Sequence, residues 1–342
     1  MANLTLIDWA KKLDPDGSVA NVANILSQTN EILTDAVYIE GNLPTGHRVT
    51  IQTGLPTIYY RSYNDGVIPS KGTTAQVDES CSMMEAYSEV DIDLAKLNGN
   101  EMAFRKSQSE PFIEGMNQKQ ASTMFYGNPG TDPQEYMGLA GRYSDLSAGN
   151  AQNILAAGGA SANAQTSVWL VCWGDHTIHC IFPKGSKAGL LQEDLGQSTS
   201  YDAGGSGKRM QVYTERFQWM SGLVVKDWRF AVRICNVGTT DGDANSISDL
   251  GGTMAVTSTE NVLHQMVMAI ARIPNFGRCK SAFYMNRTVH AGLQRTALEK
   301  SNAALSISAA VSQFGTGQSM LSFQGIPIRQ CDSLVNTEAV IS

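Results

Sequence analysis

Met84-Glu-Ala-Tyr-Ser-Glu-Val-Asp-Ile-Asp-Leu94 is the stretch whose reading decides the fold. Its even positions are Met84, Ala86, Ser88, Val90, Ile92 and Leu94, and its odd positions are Glu85, Tyr87, Glu89, Asp91 and Asp93. A period of two marks a strand with one dry face and one wet face. Upstream, His47-Arg-Val-Thr-Ile-Gln-Thr53 and Thr57-Ile-Tyr-Tyr-Arg61 read as extended chain too, and Asn64-Asp-Gly66 supplies a turn between the two arms. At ~3.3 Å per residue each arm of Thr45–Leu97 reaches on the order of 60 Å. An isolated two-stranded ribbon is marginal in water. The ribbon is therefore expected to lie on another copy of the same chain.

The totals suit that expectation. A chain of 342 residues exceeds the size at which one core keeps growing, so two bodies, or one body with long excursions, are expected. Hydrophobic residues make up 42%, enough for a large core, whereas charged residues make up only 17%, against roughly 25% in typical chains. A surface short of charge suits a protein that hides much of itself in contacts. The net charge of −7 argues against a chain whose task is gripping nucleic acid. Asp8 interrupts the first apolar run and no basic segment precedes it, so the start does not read as a signal peptide. No apolar run approaches the ~20 residues of a membrane span. The six cysteines are scattered without a Cys-x-x-Cys pair and read as reduced thiols of a chain made in a cytoplasm.

Taken in order, Leu4–Leu13 and a segment from Ser18 to Leu33 read as short amphipathic helices. Gln76–Ala95 holds six carboxylates and no Lys or Arg, while the first arm carries Arg48, Arg61 and Lys71. This acidic face is either solvated or meets basic groups of a neighbouring subunit and helps set register. On the second reading Arg48, Arg61, Lys71, Glu85, Glu89, Asp91 and Asp93 are the candidate inter-subunit residues. Asn98-x-x-Glu101 has the form of a capping box and opens a helix from about Asn100 to Tyr126, about 40 Å long at 1.5 Å per residue. Pro111 is expected to kink or restart it, with Ser109 as a second cap. Asn150–Thr166 reads as a small-residue loop or junction. Val168–Trp173 and Thr177–Phe182 read as a hairpin, and Gln197–Lys208 as a polar loop. Val212–Val225 and Trp228–Ile234 read as strands, the second alternating against Arg229 and Arg233. Helices over Glu260–Arg272 and Thr288–Lys300 and strands over Ser281–Met285, Ala304–Val311 and Ser322–Leu334 complete an α+β chain.

Nothing in the pattern assigns a catalytic, cofactor or metal residue. Gly204-Gly-Ser-Gly207-Lys208 resembles a phosphate loop, but Asp202 stands where its first glycine belongs and Arg209 where Ser or Thr would hold magnesium. Cys172, His176, His179 and Cys180 crowd one segment, yet His176 and His179 fall on opposite faces of a strand. Asp241-x-Asp243-x-Asn245 begins like a calcium loop, but Ser246 replaces the turn glycine and Gly252 the bidentate Glu. A metal-dependent enzyme using one of these two clusters is the rival from another class.

The order of elements resembles the major capsid proteins of tailed bacteriophages, the fold first seen in the Hong Kong lambdoid phage. Leu13-Asp-Pro-Asp-Gly17, Gln28-Thr-Asn-Glu-Ile-Leu33, Glu40-Gly-Asn-Leu-Pro-Thr-Gly-His-Arg48, Phe182-Pro-Lys-Gly-Ser-Lys-Ala-Gly189, Glu193-Asp-Leu-Gly196 and Gly325-Ile-Pro-Ile-Arg329 are similar to those of the short-tailed epsilon fifteen group. The resemblance implies an N-terminal arm (1–44), an extended β loop (45–97), a spine helix with peripheral domain (98–140), an axial domain (141–317) and C-terminal peripheral strands (318–342). It implies a virion structural protein, not an enzyme, whose capsomers are hexamers and pentamers that self-assemble into an icosahedral shell around double-stranded DNA, with no sequence-specific DNA binding and no membrane. Assembly is expected in the bacterial host cytoplasm, with separate scaffolding, portal and cement or decoration proteins. The first member of the fold cross-links Lys to Asn between subunits; Lys71 is placed like that donor but reads as a solvated lysine. An encapsulin shell is the nearest alternative, and a tail or adhesion module a third.

Overall fold

A computed structural model describes residues 26–97, 100–159, 161–201, 207–239, 262–298, 305–311 and 317–341. Its centre is β6 (Gln165–Trp173), all nine residues of which are buried. A strand apolar on both faces needs covering layers on both, and Val168, Leu170, Trp169, Val171 and Trp173 supply the contacts. One edge of β6 pairs antiparallel with β10 (Ala231–Gly238), Val232 opposite Leu170, and the other with β11 (Lys280–Met285), Ser281 opposite Cys172. Beyond β11 follow β14 (Ile326–Gln330), β13 (Gly317–Phe323) and β12 (Leu305–Val311). Beside β10 lies β5 (Ile154–Ala156), parallel to it. Three elements cross the face of this sheet: the end of α3 (Glu101–Tyr126), α5 (Val262–Arg272) and α6 (Arg287–Leu298) bury Met124 and Phe125, Leu263 and Met266, and Val289 and Leu293 in the same cluster. Each fully buried side chain of this kind contributes roughly 1.5–3 kcal/mol.

β9 (Arg209–Val225) joins this body to a second one. Its last residues pair with β7 (Ile178–Phe182), which also takes β1 (Tyr38–Glu40) in parallel. Its earlier part, Val212–Trp219, lies between β4 (Ser82–Asp91) and β8 (Leu190–Tyr201), both antiparallel to it. Helix α3 lies along this three-stranded region, with Phe112 stacked on Phe217. A smaller core forms there from Val90, Ile92, Ala95, Phe104 and Tyr213. The short helices are α1 (Ile32–Asp35), α2 (Ile92–Lys96) and α4 (Leu139–Arg142).

Several expectations change. The two arms of the opening stretch are not partners throughout. β2 (Gly46–Gly54) pairs with β3 (Thr73–Ser80), and Thr57–Arg61 lies in an 18-residue tip, 55–72, outside any strand. β4 has the expected alternation, with Met84, Ala86, Ser88 and Val90 inward, but its support is β9 and α3 of the same chain. The alternation then gives way to α2 at Ile92, where the Asp91 carboxylate accepts from the Asp93 N–H and caps the helix. Pro111 sits inside an uninterrupted α3, and Ser109 donates to the Arg105 carbonyl and Glu215 instead of capping. β6 and β7 are not a hairpin: both edges of β6 are taken by β10 and β11, so the two strands touch only at Trp173–Ile178, in parallel. Arg233 is buried, because its strand is covered on both faces and Glu338 meets it. Gln197–Tyr201 continues β8, and 150–166 contains buried β5 rather than a loose junction. Ser322–Leu334 is not one strand: β13 and β14 form a hairpin that turns at Gln324 and Gly325, both at positive φ as in a type I′ turn, and 331–334 lies beyond it. The expected helix from Ser18 to Leu33 is not continuous: 26–31 is non-helical and α1 begins only at Ile32. Its part before Leu26, the helix at Leu4–Leu13, the Asn98 cap and the Asp241–Asp249 loop fall outside the described residues.

Candidate interaction surface

The β2–β3 ribbon leaves the body at Gly46, whose missing side chain is required: a Cβ there would stand 2.0 Å from the Glu79 carbonyl. Two devices fix the base. Arg142 of α4 donates to both Glu79 oxygens at 2.6 and 2.7 Å, with both side chains largely buried. Beneath it Val49, Ile181 and Val224 form a small apolar cluster against which Ile51 and Cys81 pack. A bidentate charge-assisted pair fixes direction as well as distance, so the ribbon's exit angle is set here. Further out, Arg48 donates to both oxygens of its cross-strand partner Asp78 at 2.6 and 2.7 Å, and Asn42 clasps the Arg48 backbone. The Arg48 hydrogen bond holds the Asp78 carboxyl below its usual range.

Beyond Ile51 the ribbon rests on nothing among the described residues. Every residue of 55–72 is exposed, including Leu55, Ile58, Tyr59, Tyr60, Tyr63 and Ile68. Tyr60 and Tyr63 show their whole surface to solvent. The tip has local order: Asn64 takes a left-handed conformation at the turn, and Ser70 donates to the Thr57 carbonyl at 2.8 Å. A contiguous exposed apolar patch of this kind marks an interaction surface. A surface of matching character lies between α3 and β4. It is a groove of about 480 Å³ whose walls include Met84, Phe112 and Met116, with Gln120 and Tyr136 at its floor and the Lys119–Glu135 pair on its rim.

The candidate residues divide in two. Arg48, Glu85, Glu89 and Asp91 have partners within the chain. Glu85 accepts from Tyr87 and from Arg216 at 3.2 Å, which together hold its carboxyl low. Glu89 accepts from Ser200 at 2.7 Å, and Asp91 caps α2. Arg61, Lys71 and Asp93 are exposed and form no ion pair among the described residues. The spacing of charge did not point to the apolar tip or to the Glu79–Arg142 anchor. The tip was visible as a dense run of Leu, Ile and Tyr between turn residues; the anchor joins residues 63 positions apart and left no local trace. Of the metal candidates, His176 is exposed while His179, Cys172 and Cys180 are buried. Among the described residues no group of three or more His, Cys, Asp or Glu is arranged to hold a metal ion, and no helix is long and apolar enough to cross a membrane.

The family model for major capsid protein GP7 matches residues 14–342. Among solved structures, that of bacteriophage Epsilon15 is 30% identical, with a TM-score of 0.75 over 100% of this chain and 98% of that one. The bacteriophage JBD30 capsid is 8% identical with a TM-score of 0.47, covering 91% and 92% of the two chains. An SrpI encapsulin complex from Synechococcus elongatus is 9% identical with a TM-score of 0.43, over 70% and 98%. No curated protein matches the chain in sequence.

Proposed function

We propose that this chain, which belongs to the major capsid protein GP7 family and is a subunit of a phage capsid shell, closes that shell through hexamers and pentamers around double-stranded DNA. The observation that carries the reading is the ribbon tip, an apolar surface held at arm's length by an anchored base and left uncovered by the described residues of its own subunit. Laid over an adjacent copy, it buries Tyr59, Tyr60 and Tyr63; the groove between α3 and β4 is the receiving surface of fitting character. Arg61 and Lys71 then meet a neighbour bearing the acidic rim of Glu135 and Asp132. Repetition around a ring turns many modest contacts into a stable assembly.

The proposed extended loop is the ribbon 46–80, anchored at its base and free over 52–74, because β4 is built into the body beside β9. The proposed peripheral body is α3 with β4, β8 and β9, and the proposed axial body is the sheet around β6; β14, expected beside the spine helix, is bonded to β11 in the latter. A net charge of −7 suits an inner wall that packaged DNA contacts without adhering. Separate scaffolding, portal and cement or decoration proteins, and assembly in the bacterial cytoplasm, complete the proposal. Negative-stain microscopy of the expressed chain tests it: closed shells, rings or tubes are expected, and a monomer at every concentration and salt would overturn it.

A further inference from the structure

Where the ribbon meets the body, two histidines face each other. His47, the second residue of β2, lies edge-on to His179 of β7, ring centroids 5.9 Å apart. His179 is fully buried, and among the described residues neither of its ring nitrogens has a well-formed hydrogen bond. The charged groups around the pair are Lys226, at the end of β9, and Asp175, in the turn before β7, which are bonded to each other at 3.1 Å; His176 stands outside Asp175 in solvent. Val224 stands opposite His179 in the sheet, and the apolar cluster of Val49, Ile181 and Val224, against which Cys81 packs, lies on the same strands; the Asn42 N–H donates to His47 Nδ1 at 3.3 Å. The site is built for two neutral rings. A proton on His179 would place a cation in a buried space near Lys226, whose own carboxylate partner Asp175 is already engaged; His47 is half-buried beside it.

We infer that the His47–His179 contact is an acid-sensitive latch, closed at neutral pH, whose protonation frees the base of the ribbon from the body. Burial, reinforced by Lys226 and His47, holds His179 down at about 4; burial and Lys226 also lower His47. With the base open, both rings return toward their ordinary value of about 6.5. The open form therefore binds protons first as pH falls. The closed form keeps its advantage above about 6.5 and loses it progressively toward 4. One unit of displacement is a factor of ten, so His179 alone shifts the opening equilibrium by roughly two orders of magnitude across that range. The Glu79–Arg142 anchor and the apolar cluster oppose opening at all these pH values and set how much of the shift becomes visible.

The test uses the full-length chain and the reactivity of Cys81, which packs on the Val49–Ile181–Val224 cluster at the ribbon base and whose thiol burial pushes up to about 11. The protein is labelled with dithiodipyridine between pH 7 and 4, with site-by-site readout by mass spectrometry and half-exposed Cys279 as the internal standard for reagent chemistry. The expected result is a relative rate at Cys81 that rises at least tenfold, while buried Cys172 and Cys235 stay unlabelled. His179→Phe replaces an unsatisfied buried ring by an apolar one of similar shape, which the fold should accept, and is expected to flatten the profile. Lys226→Met, which removes the cation that depresses both rings, is expected to shrink it. A flat profile in the unaltered protein, labelling of Cys172 and Cys235 together with Cys81, or an undiminished acid response in both variants overturns the latch. The readout needs no assembled shell, so its outcome is separate from that of the shell reading.

Discussion

Replacing both Tyr60 and Tyr63 by Ser is the perturbation that bears most directly on the shell contact. Both side chains are fully exposed in the subunit and touch none of its cores. Truncating them should leave the isolated subunit's melting temperature unchanged, since surface substitutions away from packed features stay within about 0.5 kcal/mol. In the assembly each ring offers roughly 150–250 Å² for burial. Taking the apolar part at about 25 cal/mol per Å², and allowing about 1 kcal/mol for ordering each side chain, leaves about 1.5–3 kcal/mol per tyrosine. Two tyrosines then contribute about 3–6 kcal/mol per contact, and every 1.4 kcal/mol is tenfold, so the contact weakens by a factor of roughly 100 to 10,000. The assay is the concentration threshold for assembly, followed by light scattering and sedimentation velocity, with circular dichroism melts as the control for folding. A threshold raised at least about a hundredfold with an unshifted melt is expected. A variant that assembles at the original threshold refutes the reasoning, and so does one whose subunit melts well below the parent, because the tyrosines would then support their own chain.

Three other outcomes follow from the same structure. Glu79→Gln removes the charge from the bidentate pair with Arg142 and should weaken the ribbon base by about 1.5–3 kcal/mol; amide exchange should quicken in β2 and β3 while the melt moves little. Gly46→Ala places a methyl group against the Glu79 carbonyl, so the base must shift, and proteolysis within 46–80 should accelerate. Glu338→Ala leaves Arg233 buried without its carboxylate, removing also the acceptor for Tyr126 and Ser167. Breaking a buried pair from one side costs about 3–5 kcal/mol, which for a chain this size should lower the melting temperature by about 5 °C in calorimetry.

What was legible in the sequence was local and periodic. Alternation from Met84 to Val90 sorted the wet face of β4 from the dry one, and spacing placed α3, α5 and α6 within two or three residues of their ends. Composition anticipated a contact-rich surface, and the loop signatures pointed to the capsid family that the whole-chain match bears out. What was not legible was which strand each strand would choose. Val168–Trp173 and Thr177–Phe182 have every mark of a hairpin, but β6 gains more by burying both faces and both edges between β10 and β11, partners some 60 and 110 residues away. A proline inside α3 forfeits one backbone bond, and packing along β4 and β9 keeps the helix whole regardless.

The opening stretch divides along the same line. By itself the sequence determined that Met84–Val90 is extended chain with one dry face, because side-chain alternation is a property of neighbouring residues. Only the tertiary structure decided that the second half of Thr45–Leu97 finds its dry partner in β9 and α3 of the same chain, while the ribbon beyond Ile51 ends in an exposed apolar tip. The physical reason is that a pattern states how much surface must be hidden, whereas what hides it depends on contacts between residues far apart in sequence. Glu79 and Arg142, Arg233 and Glu338, and His47 and His179 are such contacts.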